Sequence, residues 1–190
     1  MIIFAPVMGV IAILVRLKIG SPVLFKQERP GKKGKPFIIY KFRTMTNERG
    51  KDGRLLPDTE RLKSLGCFLR KMSLDELPEL LNVIKGDMSL VGPRPLLMQY
   101  LDYYTPEQAR RHDVKPGITG WAQIHGRNNT PFSKRFIMDV WYVDNRTFWL
   151  DLKIIISTIV KIFKREGIRA DLEQCYNEVN DCGLPNDFKK

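Results

Sequence analysis

Residues 70–81 read RKMSLDELPELL, and the order of apolar, acidic and proline residues in this stretch determines the local structure that the sequence predicts. Ser73 and Glu76 have the spacing of a capping box, which marks the start of a helix. With Ser73 as the N-cap, Pro78 falls beyond the first turn and kinks the helix; with Asp75 as the N-cap, Pro78 falls where a missing N–H costs nothing. In both registers Asp75 and Glu76 lie in the first turn, where the helix dipole favours carboxylates.

The two adjacent carboxylates have a chemical and a structural interpretation. A carboxylate kept ionised near Arg70 and able to bind a divalent cation is a competent nucleophile toward phosphorus. Adjacent acids at the start of a helix more often serve only as caps. The stretch alone therefore favours the structural interpretation, and a catalytic role needs support from other parts of the sequence.

Two Gly- and Pro-rich regions follow the acidic pair. Residues 92–95 (GPRP) predict a stiff turn, and the two prolines reduce the entropy that Arg94 loses when it binds a phosphate. Residues 115–121 (KPGITGW) and 126–129 (GRNN) predict a second irregular region, in which backbone amides and Arg127 suit a nucleotide diphosphate. Each of these segments, taken alone, is most often only a turn.

Upstream of the acidic pair, two β-prone runs predict a hairpin. Residues 21–26 and 36–43 have the composition of strands, and the prolines and glycines between them mark a turn. Lys41 and Arg43 lie on one side of the second strand by the two-residue period, so both cations can face one anion. A solvated strand face is the alternative. The polar residues 46–60 predict a loop.

The chain of 190 residues carries a net charge of +11, and most of the excess lies in one stretch. Residues 16–54 contain twelve Lys and Arg against three acids, whereas the rest of the chain is nearly neutral. The uncharged residues 1–15 precede them and, as a helix, reach about 22 Å, short of the ~30 Å hydrocarbon core. An apolar anchor followed by basic residues suits a membrane surface, and Pro6 favours a kinked, re-entrant element. A buried core helix is the alternative.

The composition excludes several classes of protein. With 43% hydrophobic residues the chain is a folded domain rather than a disordered segment. The three Cys and two His show no disulfide or zinc spacing, which indicates a reducing compartment. A nucleic-acid-binding module would explain the charge, but the basic residues carry few interleaved aromatics and no known binding motif.

Five ordered motifs together resemble the bacterial sugar transferase family of monotopic phosphoglycosyl transferases. They are residues 41–45 (KFRTM), 73–78 (SLDELP), 86–89 (GDMS), 91–95 (VGPRP) and 115–121 (KPGITGW). The match runs from about Pro6 to Gly167. The resemblance implies an α+β fold: a compact, mainly helical catalytic domain with a small β-hairpin, attached to the membrane by an N-terminal re-entrant helix and interfacial amphipathic helices.

The resemblance also implies an activity. Such enzymes move a phosphosugar from a UDP-sugar to polyprenol phosphate on the cytoplasmic membrane face, releasing UMP and starting a surface glycan or glycoprotein sugar. Mg²⁺ is the implied cofactor, with Asp75 and Glu76 as its ligands. Asp75 is the implied nucleophile, which forms a covalent phosphosugar-enzyme, and Glu76 helps to hold Mg²⁺ or manages a proton. Arg70 orients the pair or balances its charge.

The implied substrate-binding residues are Lys41, Arg43, Arg94, Arg127 and Asp139. Arg94 is expected to meet a phosphate near the membrane surface, and Arg127 to contact the UDP-sugar. Asp139 lies in an apolar run, so the alternative to substrate binding is a structural role in which its carboxylate is paired with a cation. The expected sugar is an N-acetyl or deoxyamino sugar or a hexose.

The expected organisation is a membrane helix at residues 1–20, a catalytic domain at 21–169 and a surface tail at 170–190. Residues 149–165 have the pattern of an interfacial helix, and a packed core helix is the alternative. The family usually has a full helix-break-helix with Ser-Pro at the break. Here the apolar run is short and Ala5-Pro6 stands at that position, which predicts a truncated or abbreviated anchor. A membrane-attached scaffold with a degenerate site remains an alternative function.

Overall fold

The structure, a computed structural model, describes residues 5–126 and 130–164, without the side chains of residues 163 and 164. It combines helices with two small sheets, which confirms the predicted α+β class. The helices are α1 (Ala5–Lys18), α2 (Asp58–Arg61), α3 (Ser64–Lys71), α4 (Glu79–Lys85), α5 (Pro106–Ala109), α6 (Trp121–His125), α7 (Phe132–Asn145) and α8 (Phe148–Lys164). The strands are β1 (Leu24–Pro30), β2 (Pro36–Phe42), β3 (Ser89–Val91) and β4 (Gly117–Thr119). Short 3-10 helices lie at Lys32–Gly34, Leu74–Glu76, Met98–Tyr103 and Arg110–His112.

The described chain divides into two compact units. Unit 1 contains residues 5–26 and 40–80, and unit 2 contains residues 27–39, 81–126 and 130–164. The domain boundaries drawn from the sequence stay predictions. The tail at 170–190 lies outside the described residues.

The predicted hairpin is present as β1 and β2, which pair in a two-stranded sheet. The Gly31 amide donates to the Lys35 carbonyl at the turn, and the Arg43 amide donates to the Val23 carbonyl at the other end. These two bonds have the same antiparallel register. The first strand begins later than predicted, at the second residue after Pro22, which has no N–H for a ladder bond.

The core of unit 1 is formed by α1, β2 and α3. Ile11 and Val15 of α1, together with Ile19 directly after the helix, recur every four residues. All three are buried with Phe42 of β2 and Leu69 of α3 in one core. This inner face matches the core-helix alternative for the uncharged N-terminal run. Other apolar side chains of α1 are exposed. They are Val7, Val10, Ile13, Leu14 and Leu17.

The membrane element predicted at the N-terminus lies partly outside the described residues. Among the described helices, none is both long and apolar enough to cross a membrane. Pro6 is the second residue of α1 as described. Residues 1–4 are not described, so a break at Pro6 stays a prediction.

The predicted capping box at Ser73 is wrong. Ser73 adopts the left-handed conformation (φ 53°), and its side chain makes no capping hydrogen bond. The residues after it form the 3-10 turn Leu74–Glu76, and α4 begins only at Glu79, directly after Pro78. Proline is tolerated there because the first residues of a helix have N–H groups without intrahelical partners. The acidic pair therefore precedes α4 instead of occupying its first turn.

Unit 2 contains a parallel strand pair that the sequence did not predict. Residues 115–121 were expected to be irregular, but β3 and β4 pair with Ser89 opposite Gly117 and Val91 opposite Thr119. Strands of three residues, joined by a long connection, carry no usable periodicity. The core around this pair consists of Val91, Val114, Ile124, Tyr142 and Ile154.

The helix predicted at residues 149–165 is present as α8. Ile154 is fully buried in the core of unit 2, with Leu150 and Ile155 packed beside it. A second set of apolar side chains on α8 is exposed. The set consists of Phe148, Trp149, Leu152, Ile156, Ile159 and Val160.

Candidate active site

The acidic pair lies on a turn that two leucines hold against the core. Leu74 and Leu77 pack against the core of unit 1. Residues three apart share one face of a 3-10 helix, so one face of the turn carries both leucines. Asp75 and Glu76 lie between them and are half-buried. The order Leu-Asp-Glu-Leu therefore turns two carboxylates away from an apolar core.

Lys41 binds the second acid of the pair. Its Nζ lies 2.7 Å from Glu76 Oε1 and 3.1 Å from Glu79 Oε1. The side chain of Glu79 is only 2% exposed. A buried carboxylate requires a paired cation, so one ammonium group stabilises two acids. The prediction that Lys41 faces a substrate anion did not foresee this pairing.

Glu79 was missed by the sequence reasoning. It follows Glu76 by three residues, across Pro78, and this spacing was the available signal because such residues share a helix face. The acids that Lys41 brings together are Glu76 and Glu79.

Arg70 is fixed by Thr44. The Arg70 Nε donates to Thr44 Oγ1 over 2.9 Å. Gly66 lies one turn earlier on the same face of α3, and a Cβ atom there would lie 1.9 Å from the Thr44 carbonyl oxygen. The missing side chain lets α3 approach closely enough for this bond. The motif at residues 41–45 thus supplies a partner for Glu76 and another for Arg70.

Arg43 lies directly after β2. Its Nη1 donates to the Ser21 carbonyl over 2.8 Å. Lys41, two residues earlier, is engaged by Glu76 and Glu79, so the two cations have different protein partners. Substrate binding by Arg43 stays a prediction.

In unit 2, Arg111 links Arg94 to Asp139. Arg111 Nη2 donates to the Arg94 carbonyl and to Asp139 Oδ2, both over 2.7 Å. Its Nη1 donates to the Tyr104 hydroxyl over 3.1 Å. Arg111 and Asp139 are each 3% exposed, and burial raises the pKa of Asp139 while the guanidinium partly offsets the rise. This geometry supports the structural alternative for Asp139, and substrate contacts by Arg94 and Asp139 stay predictions.

The two Gly-rich motifs of unit 2 pack against each other. A Cβ atom at Gly117 would lie 2.1 Å from the Gly92 nitrogen, and one at Gly120 would lie 2.2 Å from the Gly92 oxygen. These glycines are therefore required for close backbone packing, whatever else they do. Arg127, predicted to contact the UDP-sugar, lies outside the described residues.

The donor chemistry at the acidic pair is suitable for a hard cation. Within residues 5–126 and 130–164, no group of three or more His, Cys, Asp or Glu side chains is placed to hold a metal. Mg²⁺ often takes only one or two protein carboxylates and completes its shell with water and substrate phosphates. Asp75 and Glu76 satisfy that requirement, and a magnesium site at this pair stays a prediction.

Comparison with known proteins gives consistent matches. The model of the family described as "Bacterial sugar transferase" matches residues 1–165. The chain is 66% identical over 156 residues to the uncharacterized sugar transferase EpsL of Bacillus subtilis (strain 168), covering 82% of this chain and 77% of EpsL.

Two further relatives have names that state an activity. The UDP-glucose:undecaprenyl-phosphate glucose-1-phosphate transferase of Caulobacter vibrioides is 42% identical over 175 residues, 87% of this chain and 66% of that protein. The undecaprenyl-phosphate galactose phosphotransferase of Salmonella typhimurium is 40% identical over 166 residues, 78% of this chain but only 35% of that protein. The resemblance of the five motifs is thereby confirmed, and the chain belongs to the bacterial sugar transferase family.

Proposed function

We propose that this chain transfers a sugar 1-phosphate from a UDP-sugar to polyprenol phosphate, releasing UMP and forming a polyprenyl diphosphate sugar. The family model covers all of the site residues described above, and relatives in Caulobacter and Salmonella are named for this reaction class. The observation that carries the proposal is the Leu74–Glu76 turn, which presents Asp75 beside a carboxylate already neutralised by Lys41.

The proposed chemistry has two displacements at one phosphorus atom. The Asp75 carboxylate attacks the β-phosphorus of the UDP-sugar, and the bond from that phosphorus to the bridging oxygen breaks, releasing UMP. An oxygen of polyprenol phosphate then attacks the same phosphorus, and the bond to Asp75 breaks, returning the carboxylate. Splitting one difficult transfer into two easier steps is the general advantage of covalent catalysis.

The surrounding residues have separate roles in this scheme. Lys41 keeps Glu76 and Glu79 neutralised, so that three neighbouring acids do not repel the diphosphate. Arg70, held by Thr44, supplies positive charge close in sequence to the nucleophile. Mg²⁺, held by Asp75 and Glu76, would neutralise charge on the diphosphate.

The proposed location is the cytoplasmic face of the bacterial cell membrane, with monotopic attachment. Exposed apolar side chains on α1 in unit 1 and on α8 in unit 2 support it, each helix burying its opposite face in its own unit. The basic stretch after α1 supports it further, since each Lys or Arg near anionic headgroups adds about 1 kcal/mol.

The sugar is proposed as a UDP-linked hexose or N-acetyl or deoxyamino sugar. The names of relatives include glucose, galactose and N-acetylgalactosamine. A panel of UDP-sugars in a UMP-release assay identifies the donor.

The decisive test compares wild type with Asp75→Asn in a UMP-release assay with polyprenol phosphate, Mg²⁺ and membranes. We expect the variant to lose at least about a thousandfold in rate, because the amide is a poor nucleophile. The matched control is Asp52→Asn, an exposed acid in the loop of unit 1, which should leave the rate unchanged. Equal rates for wild type and Asp75→Asn contradict the nucleophile assignment. Absence of UMP release from the wild type with every UDP-sugar supports the scaffold alternative.

A further inference from the structure

A groove in unit 1 shares only Arg43 with the site described above. Its volume is about 360 Å³, and it is lined by Pro22, Leu24, Phe25, Lys26 and Arg43. We refer to it as the Phe25 groove. Phe25 is 43% exposed, so a large apolar ring remains accessible there.

The lining of the Phe25 groove combines an apolar wall with two cations. Lys26 Nζ lies 5.9 Å from the centre of the Tyr40 ring, and Arg43 donates to the Ser21 carbonyl. Within the described residues, neither Lys26 nor Arg43 has an acidic partner. A ligand that matches both features carries an anionic group next to an apolar chain.

The Phe25 groove is close along the chain to both an apolar surface and the acidic pair. Leu17, which is 77% exposed, precedes Pro22 by five residues at the end of α1. Arg43 follows Lys41 by two residues, roughly 7 Å of extended chain, and Lys41 binds Glu76. An amphiphilic ligand in this groove would therefore lie against chain segments that lead directly to the exposed end of α1 and to the partner of Glu76.

We propose that the Phe25 groove binds the polyprenol phosphate acceptor, with Arg43 and Lys26 on the phosphate and Pro22, Leu24 and Phe25 against the first isoprene units. This inference rests on the proposed function and gives a binding site for the acceptor, the second substrate of that reaction. An oxygen of the bound phosphate attacks the phosphorus of the phosphosugar on Asp75, and the bond to the Asp75 carboxylate breaks. A UDP-sugar has no apolar chain to occupy the wall, so the groove discriminates against the donor.

The test separates the two half-reactions. Wild type, Phe25→Ala and Lys26→Gln are given a UDP-sugar and Mg²⁺ without acceptor, and the stoichiometric burst of UMP is measured. Polyprenol phosphate is then titrated, and the KM for the acceptor is measured. We expect both variants to keep the UMP burst and to raise the acceptor KM about tenfold or more.

Matched controls are Phe68→Ala, an exposed phenylalanine on α3, and Lys51→Gln, an exposed lysine in the loop of unit 1. Both should leave the acceptor KM unchanged. Inorganic phosphate as a competitor separates the anionic head from the chain: it should bind wild type and Phe25→Ala equally and Lys26→Gln more weakly.

Three outcomes overturn the inference. A reduced UMP burst in the groove variants assigns the groove to the donor. An acceptor KM equal to that of the controls shows that the groove does not bind the acceptor. Tighter binding of inorganic phosphate than of polyprenol phosphate shows that the apolar wall does not contribute to recognition. A wild type that releases no UMP even with polyprenol phosphate present refutes the proposed function instead.

Because Arg43 also donates to the Ser21 carbonyl, Arg43→Gln is used only together with Arg43→Lys and a thermal melting curve of each variant.

Discussion

The Nζ atom of Lys41 lies 2.7 Å from the Oε1 atom of Glu76, the residue that directly follows the proposed nucleophile. The same ammonium group lies 3.1 Å from the nearly inaccessible Glu79. A lysine at the end of a strand therefore neutralises negative charge at the acidic turn. Two carboxylates can be held near Asp75 without repelling an incoming diphosphate.

Removal of the Lys41 ammonium should destabilise the protein. Lys41→Met removes the ammonium group that lies 3.1 Å from the buried Glu79 carboxylate, and we expect a loss of about 3 kcal/mol in the free energy of unfolding. Urea unfolding measures it. Lys63→Met is the control, because the ion pair of Lys63 with Glu48 is exposed and is expected to contribute less than about 1 kcal/mol. Lys41→Met/Glu79→Gln should recover part of the loss; equal losses in Lys41→Met and Lys63→Met would contradict the buried pairing.

A side chain at Gly66 should disturb both stability and Arg70. A Cβ atom there meets the Thr44 carbonyl oxygen, so Gly66→Ala should cost about 1–3 kcal/mol and should also lower the UMP-release rate by moving Arg70. Thermal unfolding and the UMP assay measure these effects. Gly9→Ala is the control, because nothing lies within 4 Å of that position in α1. A stable, active Gly66→Ala protein would show that α3 does not need this close approach.

The Arg111–Asp139 pair should behave as a unit. Arg111→Met leaves the Asp139 carboxylate buried without its cation, with an expected cost of about 3–5 kcal/mol. Arg111→Met/Asp139→Leu removes both charges and should cost clearly less than the sum of the two single changes. Urea unfolding of the four proteins completes the cycle. Additive costs would mean that the two side chains are not coupled.

Burial of His112 predicts a loss of stability in mild acid. Its pKa is lowered from 6.5 to about 4, first by burial and then by the charge of Arg111. Between these two pH values the unfolded chain binds a proton that the folded chain does not, so stability falls as pH falls from 6.5 to 4. The expected loss from this group is about 3 kcal/mol.

The measurement for His112 is urea unfolding at several pH values between 4 and 7.5. His112→Phe should flatten the pH dependence in this window, because its ring cannot take up a proton. His125→Gln, at an exposed position, serves as the control and should keep the wild-type dependence. If His112→Phe retains the full pH dependence, other groups cause it.

The candidate residues were accessible from the sequence because they lie in short ordered motifs. The stretch around Asp75 identified the acidic pair and Arg70, and the composition of residues 21–43 identified the hairpin. The capping box failed at Ser73 because the spacing of Ser and Glu does not report the backbone angles between them. The strand pair β3–β4 was missed because three-residue segments carry no period.

The sequence by itself determined the family, because the motifs depend on local residue type and spacing, and the family resemblance in turn implied the α+β class. Tertiary structure decided which residues of different motifs bind each other. Lys41 donates to Glu76, 35 positions away, and Arg70 donates to Thr44, 26 positions away. It also decided that Asp139 is paired with Arg111 in a core. Such pairings depend on how distant elements pack. For Lys41 and Arg70, the burial that makes the pairing energetically necessary arises when α1, β2 and α3 form the core of unit 1.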